Sequence, residues 1–243
     1  MSATASRLPA VDGHLIEEYL TGLSRRLIGP RRAKEDLLAE ARDGLIDAAE
    51  AYAVAGLPAP EATARALADF GGYRQVAADY QAELAAAQGR RTALLVAVVM
   101  PTMLLLSRFM WTGSPWTRSG PAPGSGYLLV SYTLDILQVT AAIMALLTLL
   151  GYGWGSRYLP AARVPAAVLL TRLMGVGVLV FIAIEALTGF VIYAWSVRMW
   201  PVAADWPPLM VGAVLVPLIL FAIGRSGVRC VRSSGGASVP RLG

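Results

Sequence analysis

One cysteine and one histidine occur in 243 residues, and each shortage excludes something. Cys230 alone cannot close an intramolecular disulfide, and with only His14 beside it no Cys/His metal cluster can be assembled. Charged residues make up 15% of the chain against 56% hydrophobic ones, a balance too apolar for an ordinary soluble domain. The first thirty residues contain Glu17, Glu18, Tyr19 and several arginines but no continuous apolar run. A cleavable signal peptide is therefore not expected, and the N-terminus is expected to stay in the cytoplasm. Catalytic signatures are missing as well: there is no H-E-x-x-H, no G-x-S-x-G and no G-x-x-x-x-G-K-S/T. The expectation is a protein without catalytic residues, metal or cofactor.

The charge that is present is unevenly placed. Residues 1–88 carry 9 basic against 13 acidic side chains, whereas residues 89–243 carry 12 basic against 3 acidic ones. The basic residues of the second part are scattered around apolar spans rather than gathered on one face. A pI near 9.7 is thus no sign of direct nucleic-acid binding.

Four helices are predicted before the first long apolar run, after a flexible stretch over residues 1–11. In the first, about Asp12 to Ile28, Leu15, Ile16, Tyr19, Leu20, Leu23 and Leu27 recur at three- and four-residue spacing, with Asp12 as N-cap. Gly29-Pro30 closes it and opens a second helix at Arg31–Ala55, with Pro30 suited to a first helical position. Leu37, Leu38, Ala41, Leu45, Ala48, Ala49 and Tyr52 face inward there, and Gly56 ends the helix. A short third helix covers about Glu61 to Phe70, Gly71-Gly72 turns the chain, and a fourth helix starts near Tyr73 with Val76, Ala77, Tyr80 and Leu84 on its apolar side. No one of these helices can bury its stripe alone, so residues 12–88 should form one small bundle.

The string DLLAEARDGLIDAAEAYAVAGLPAPEATARALADFGGYRQVAADYQAEL resembles a small α-helical signalling domain, HAAS (HTH-associated α-helical signalling), also known as the permease prefix domain. Glu40, Asp43, Gly56, Glu61, Ala62, Ala66, Leu67, Gly71, Val76 and Ala77 match that family's pattern in place. Gly44 stands where a His is common, and Gly72-Tyr73 replaces a frequent Asp-Pro. The resemblance covers about residues 12–86. It implies a cytoplasmic domain on a membrane anchor, partnered by a PadR-like helix-turn-helix regulator encoded nearby.

Four apolar spans follow, at about 92–111, 127–153, 166–195 and 208–224, with a basic tail over 225–243. Each is near the length that roughly 30 Å of hydrocarbon requires. The overall expectation is an all-α protein: a small N-terminal cytoplasmic bundle, then a four-helix transmembrane bundle, compatible with self-association as a homo-oligomer. Trp111, Trp116, Tyr127, Trp154, Tyr158, Trp195, Trp200 and Trp206 fall near the span ends, as an interfacial aromatic belt would place them. Arg90, Arg91, Arg157, Arg163, Arg225, Arg229, Arg232 and Arg241 flank one side and so put both termini in the cytoplasm of a bacterial plasma membrane. Pro101 and Pro217 lie mid-span and are expected to bend their helices. The tail RSGVRCVRSSGGASVPRLG is expected to be a flexible basic end.

Asp135 and Glu185 are the acidic groups inside these spans, and Asp135 shares a helix face with Ser131 and Gln138. An acid at a helix centre costs about 2.5–3.5 kcal/mol to insert, so both should face the bundle interior, protonated or paired. Arg108 is a candidate counter-ion for Asp135. These groups either fix the helices together or bind a proton or cation, the latter making the chain a small permease or an accessory transport subunit. Asp36, Glu40, Asp43 and Asp47 lie along one face of the second helix. Such a run is a solvated face or, for a basic regulator, a docking stripe. The favoured expectation is a non-enzymatic regulator anchored in the membrane.

Overall fold

The computed structural model describes residues 12–114, 120–158 and 163–236, and all its regular elements are helical. Among the described residues there are seven α-helices, one short 3-10 helix and no strand. They are α1 (Gly13–Arg26), α2 (Arg31–Val54), α3 (Ala59–Phe70), α4 (Tyr73–Trp111), α5 (Ser125–Tyr158), α6 (Arg163–Met199), the 3-10 turn Pro201–Asp205, and α7 (Pro207–Gly236). Residues 12–87 with 233–236 make one compact unit and residues 88–232 a second. The expected flexible stretch 1–11 lies outside the described residues, as do Trp116, Arg118 and Arg241 and the side chains of Trp154, Arg157, Tyr158 and Arg163.

The first unit is built on the predicted stripes. Asp12 caps α1, its Oδ1 accepting from the His14 amide at 3.2 Å. Ile16, Tyr19, Leu20 and Leu23 of α1 meet Leu37, Ala41 and Leu45 of α2 and Val76 and Leu84 of α4 in a core from which water is excluded. Pro30 sits one position earlier than expected, as the N-cap of α2, its ψ of 128° being extended rather than helical. Gly56 and Gly71 follow or cap their helices with φ of +102° and +109°, a region where a Cβ is strained. Tyr19 pins the Gly71-Gly72 joint. Its ring stacks on Tyr73 at 4.5 Å and meets Phe70 edge-on at 5.9 Å, while its hydroxyl donates to the Gly71 carbonyl at 2.8 Å.

Two residues hold the α1–α2 connection. The carboxamide of buried Gln81 accepts from the Ile28 amide at 2.8 Å and donates to the Ile28 carbonyl at 2.6 Å. It also donates to the Ser233 carbonyl at 2.9 Å. The Ile28 amide and carbonyl, which lie between helices, are thereby paired. Gly29 is obligatory at this place, because a Cβ there would stand 2.8 Å from the Leu84 Cβ.

The second unit departs from the expected boundaries in one consistent way: its helices are longer than the apolar runs within them. The helix starting at Tyr73 does not end before the first span but continues unbroken to Trp111 and through Pro101. Likewise α7 continues through Pro217 and on to Gly236, so residues 225–236 of the expected flexible tail are helical. Side-chain hydrogen bonds and close packing at Gln88, Ser226 and Cys230, described below, account for that order. Four helices are long and apolar enough to cross a membrane, with mean hydropathies of 1.5, 1.9, 2.3 and 2.2 in order. Their large side chains point outward in a manner no water-soluble bundle tolerates: Leu105, Leu129, Leu187 and Phe190 are each two-thirds or more exposed.

Inside this unit Val96, Met100, Ala142, Ala145, Val178, Phe181 and Ile223 form a core. Helices α6 and α7 cross where Gly175 meets Gly227. A Cβ on Gly175 would lie 2.9 Å from both the Cys230 Cβ and the Val231 Cγ2, and 3.0 Å from the Gly227 carbonyl oxygen. Small residues permit such close approach where lipid supplies no hydrophobic drive to association. Five of the aromatic residues expected at the span ends pack on one another. Tyr127, Trp200 and Ala203 form a buried cluster flanked by Trp111, Trp195 and Trp206. Trp200 also donates from its indole nitrogen to the Pro121 carbonyl at 3.2 Å.

Replacing Gly175 with Ala is expected to destabilise the protein by about 1–3 kcal/mol through overpacking. Gly177→Ala, where a Cβ meets nothing within 4 Å, should not. Thermal unfolding of the two variants in the same detergent compares them directly.

Candidate functional site

Two places bring polar side chains together in ways the packing does not require. The first is the outer face of α2. Successive steps of four, three and four residues put Asp36, Glu40, Asp43 and Asp47 within one narrow arc, opposite the buried Leu37, Ala41, Leu45 and Ala49. All four acids are exposed, and Glu50, which sequence reasoning passed over, extends the same stripe. Among the described residues none of the five forms a salt bridge. The acids nearby behave differently: Glu35 pairs with Arg31 at 2.7 Å, Asp69 with Arg65 at 3.4 Å, and Glu17 with Arg42. Arg42 lies beside the stripe yet turns toward α1, giving Glu17 a two-pronged contact at 2.6 and 2.9 Å. Its charge still acts on Asp43, but no stripe carboxylate forms a close ion pair among the described residues. Exposed Gly44 interrupts it with no side chain at all, where the resembled family commonly carries His.

The second place is between α5 and α6. Glu185 is only 7% exposed, and Gln138 donates to its Oε1 at 2.6 Å. Half-buried Asp135 lies one turn before Gln138, near enough for its charge to act on Glu185. The expected polar face of α5 is thus brought to Glu185. Arg108 is not: it is exposed on α4 and makes no ion pair with Asp135, since its long side chain reaches solvent-accessible surface instead. Arg172 on α6 is exposed too.

Sequence reasoning missed a third group because its members are not charged. Gln88 and Thr92 on α4 face Ser226 and Cys230 on α7. The Thr92 hydroxyl lies 2.7 Å from the Ser226 hydroxyl and 3.1 Å from the Cys230 sulfur, and the Gln88 amide nitrogen 3.2 Å from the Ser226 hydroxyl. All four are buried. Nearby the Tyr152 hydroxyl bonds Thr171 at 2.6 Å and occupies the space a Cβ on Gly89 would need. The signal available was the spacing Gln81, Gln88, Thr92, which keeps amides and a hydroxyl on one side of α4. These groups are satisfied by each other, so they fasten helices and offer nothing to a ligand. Among the described residues no three His, Cys, Asp or Glu side chains converge as a metal site.

No family model, curated protein or solved structure matches this chain.

The Glu17–Arg42 contact has a measurable signature. The Arg42 hydrogen bond, reinforced by its charge, holds the Glu17 carboxyl below its ordinary value. A lowered carboxyl favours the folded chain above the unfolded value and loses that contribution as pH falls through the folded one. Arg42→Gln should return the Glu17 titration, followed by NMR, to that of a free glutamate. Because both groups are well exposed, thermal stability should change little.

Proposed function

We propose that this chain is a non-enzymatic regulatory protein held in the bacterial plasma membrane, with residues 12–88 as a cytoplasmic signalling domain of the HAAS or permease-prefix kind. Its output is capture and release of a basic cytoplasmic partner of the PadR-like helix-turn-helix class. One observation carries this reading: Asp36, Glu40, Asp43 and Asp47 form an exposed stripe with no ion pair, while neighbouring acids are paired. A row of like charges costs self-repulsion and contributes nothing to the core, so a binding role accounts for it better than folding does. α4 runs from Tyr73 to Trp111, so the last helix of the signalling domain continues in sequence as the first apolar helix.

The full chain in lipid nanodiscs is the material for the test, with the PadR-like regulator encoded beside it as ligand. Joint replacement of Asp36 and Asp43 by Asn, Asp47 by Asn and Glu40 by Gln should weaken binding by about tenfold or more. Glu35→Gln, on a residue already paired with Arg31, should leave it unchanged. Binding by the parent chain should fall with added salt. Equal affinity for parent and stripe variant removes the docking stripe.

The transport reading draws on buried Glu185 with Asp135 beside it. Asp135→Asn with Glu185→Gln in proteoliposomes separates the two: coupled proton or ion flux is lost if the chain is a permease, and partner binding is untouched if it is a regulator.

A further inference from the structure

We propose that Glu185 and Gln138 form a latch closed by a single proton, carried on Glu185 Oε2 and donated to Gln138 Oε1. The inference does not rest on the docking stripe of α2.

A carboxyl and a carboxamide are nearly the same shape, each with two polar atoms at the end of a flat group. These two groups already share one hydrogen bond, from Gln138 Nε2 to Glu185 Oε1. Their remaining atoms, Gln138 Oε1 and Glu185 Oε2, are both buried and neither has a hydrogen-bond partner. An amide oxygen only accepts, and an ionised carboxylate oxygen only accepts. With Glu185 ionised, the two side chains that share this bond each keep a buried acceptor unpaired. With a proton on Oε2, that atom becomes a donor, the amide oxygen beside it is its acceptor, and one hydrogen satisfies both.

The surroundings favour the same state. Asp135 on α5, one turn before Gln138, is a second acid and brings no positive charge to the site. Among the described residues no lysine or arginine makes an ion pair with either acid, and Arg108 and Arg172 are exposed on their own helices. A buried carboxylate without a counter-ion is costly, and taking up a proton is the way such a group avoids that cost. The latch spans α5 and α6, so gain or loss of this proton alters the bond between two helices. Asp135, half-buried and without such a partner, is outside it.

Infrared spectroscopy of the full chain in lipid nanodiscs at neutral pH tests this. The parent protein should show a protonated-carboxyl stretch that shifts in deuterium oxide. Glu185→Gln should lose it, while Asp135→Asn should keep it. Glu185→Gln retains the shape and a donor, forming an amide–amide pair, so the loss is not a failure to fold. Gln138→Leu should move the band to the position of an acid without an acceptor. Raising the pH until the band disappears should lower the thermal midpoint of the parent but not of Glu185→Gln. Absence of the band at neutral pH, its loss in Asp135→Asn alone, or a midpoint indifferent to its disappearance overturns the latch. So does a rise in midpoint with sodium or calcium ions that Glu185→Gln abolishes, which would make the site a cation site.

Discussion

Leucine, valine and phenylalanine side chains that face away from the protein govern the second unit. On α4 to α7 the apolar surface runs round the whole helix, and most of it has no protein neighbour. In water this surface would drive collapse or aggregation; in hydrocarbon it is at rest. The same fact removes the hydrophobic effect as the glue between these helices, because a lipid tail is as good a neighbour for Leu129 as another leucine is. Adhesion then has to come from close packing and from polar pairs. Gly175 on Gly227 supplies the first. Gln88 and Thr92 with Ser226 and Cys230, Tyr152 with Thr171, and Gln138 with Glu185 supply the second. Every polar side chain named there would be a liability in hydrocarbon by itself.

The first unit follows the opposite rule. Leu23, Leu45 and Leu84 are wholly enclosed, and charge is outside. Its polar interior groups serve the backbone: Gln81 satisfies Ile28 and Ser233, Tyr19 satisfies Gly71, and Thr63 accepts from the Asp12 amide at 3.2 Å. Three helices and the start of α4, joined by three tight connections, leave many amides and carbonyls outside helical ladders, and the buried side chains above answer that need. With the loops tied this way, the acids of α2 are free of structural duty. That is why a stripe of unpaired carboxylates on a solvent face and a single unpaired carboxyl oxygen in the interior mean different things. The first costs only screened self-repulsion in water and suits an encounter with a basic surface; the second is costly unless something small, such as a proton, completes it.

Much of this was legible before any coordinates. Period-3.6 stripes placed Leu20, Leu23, Leu37 and Leu45 in one core, glycines marked the helix ends at Gly56 and Gly71, and the apolar runs counted out four spans. These features are local: each depends on residues within a turn or two of one another. The acidic stripe was legible for the same reason, since spacing along one helix decides it. Where expectation and structure part, the deciding contact comes from a residue far along the chain. Helical order through Gly89 and past Gly224 depends on partners brought from other helices, including Tyr152 near Gly89 and Cys230 near Thr92. Trp111 and Trp200, 89 residues apart, come within 6.5 Å, a pairing no local spacing announces. Composition and periodicity determined which surfaces must leave water and which acids stand together on a helix. Only the tertiary structure decided which uncharged groups pair, that Arg108 leaves Asp135 alone, and that Glu185 meets Gln138, because hydrogen bonds act over about 3 Å and nothing in a sequence fixes two helices to that distance.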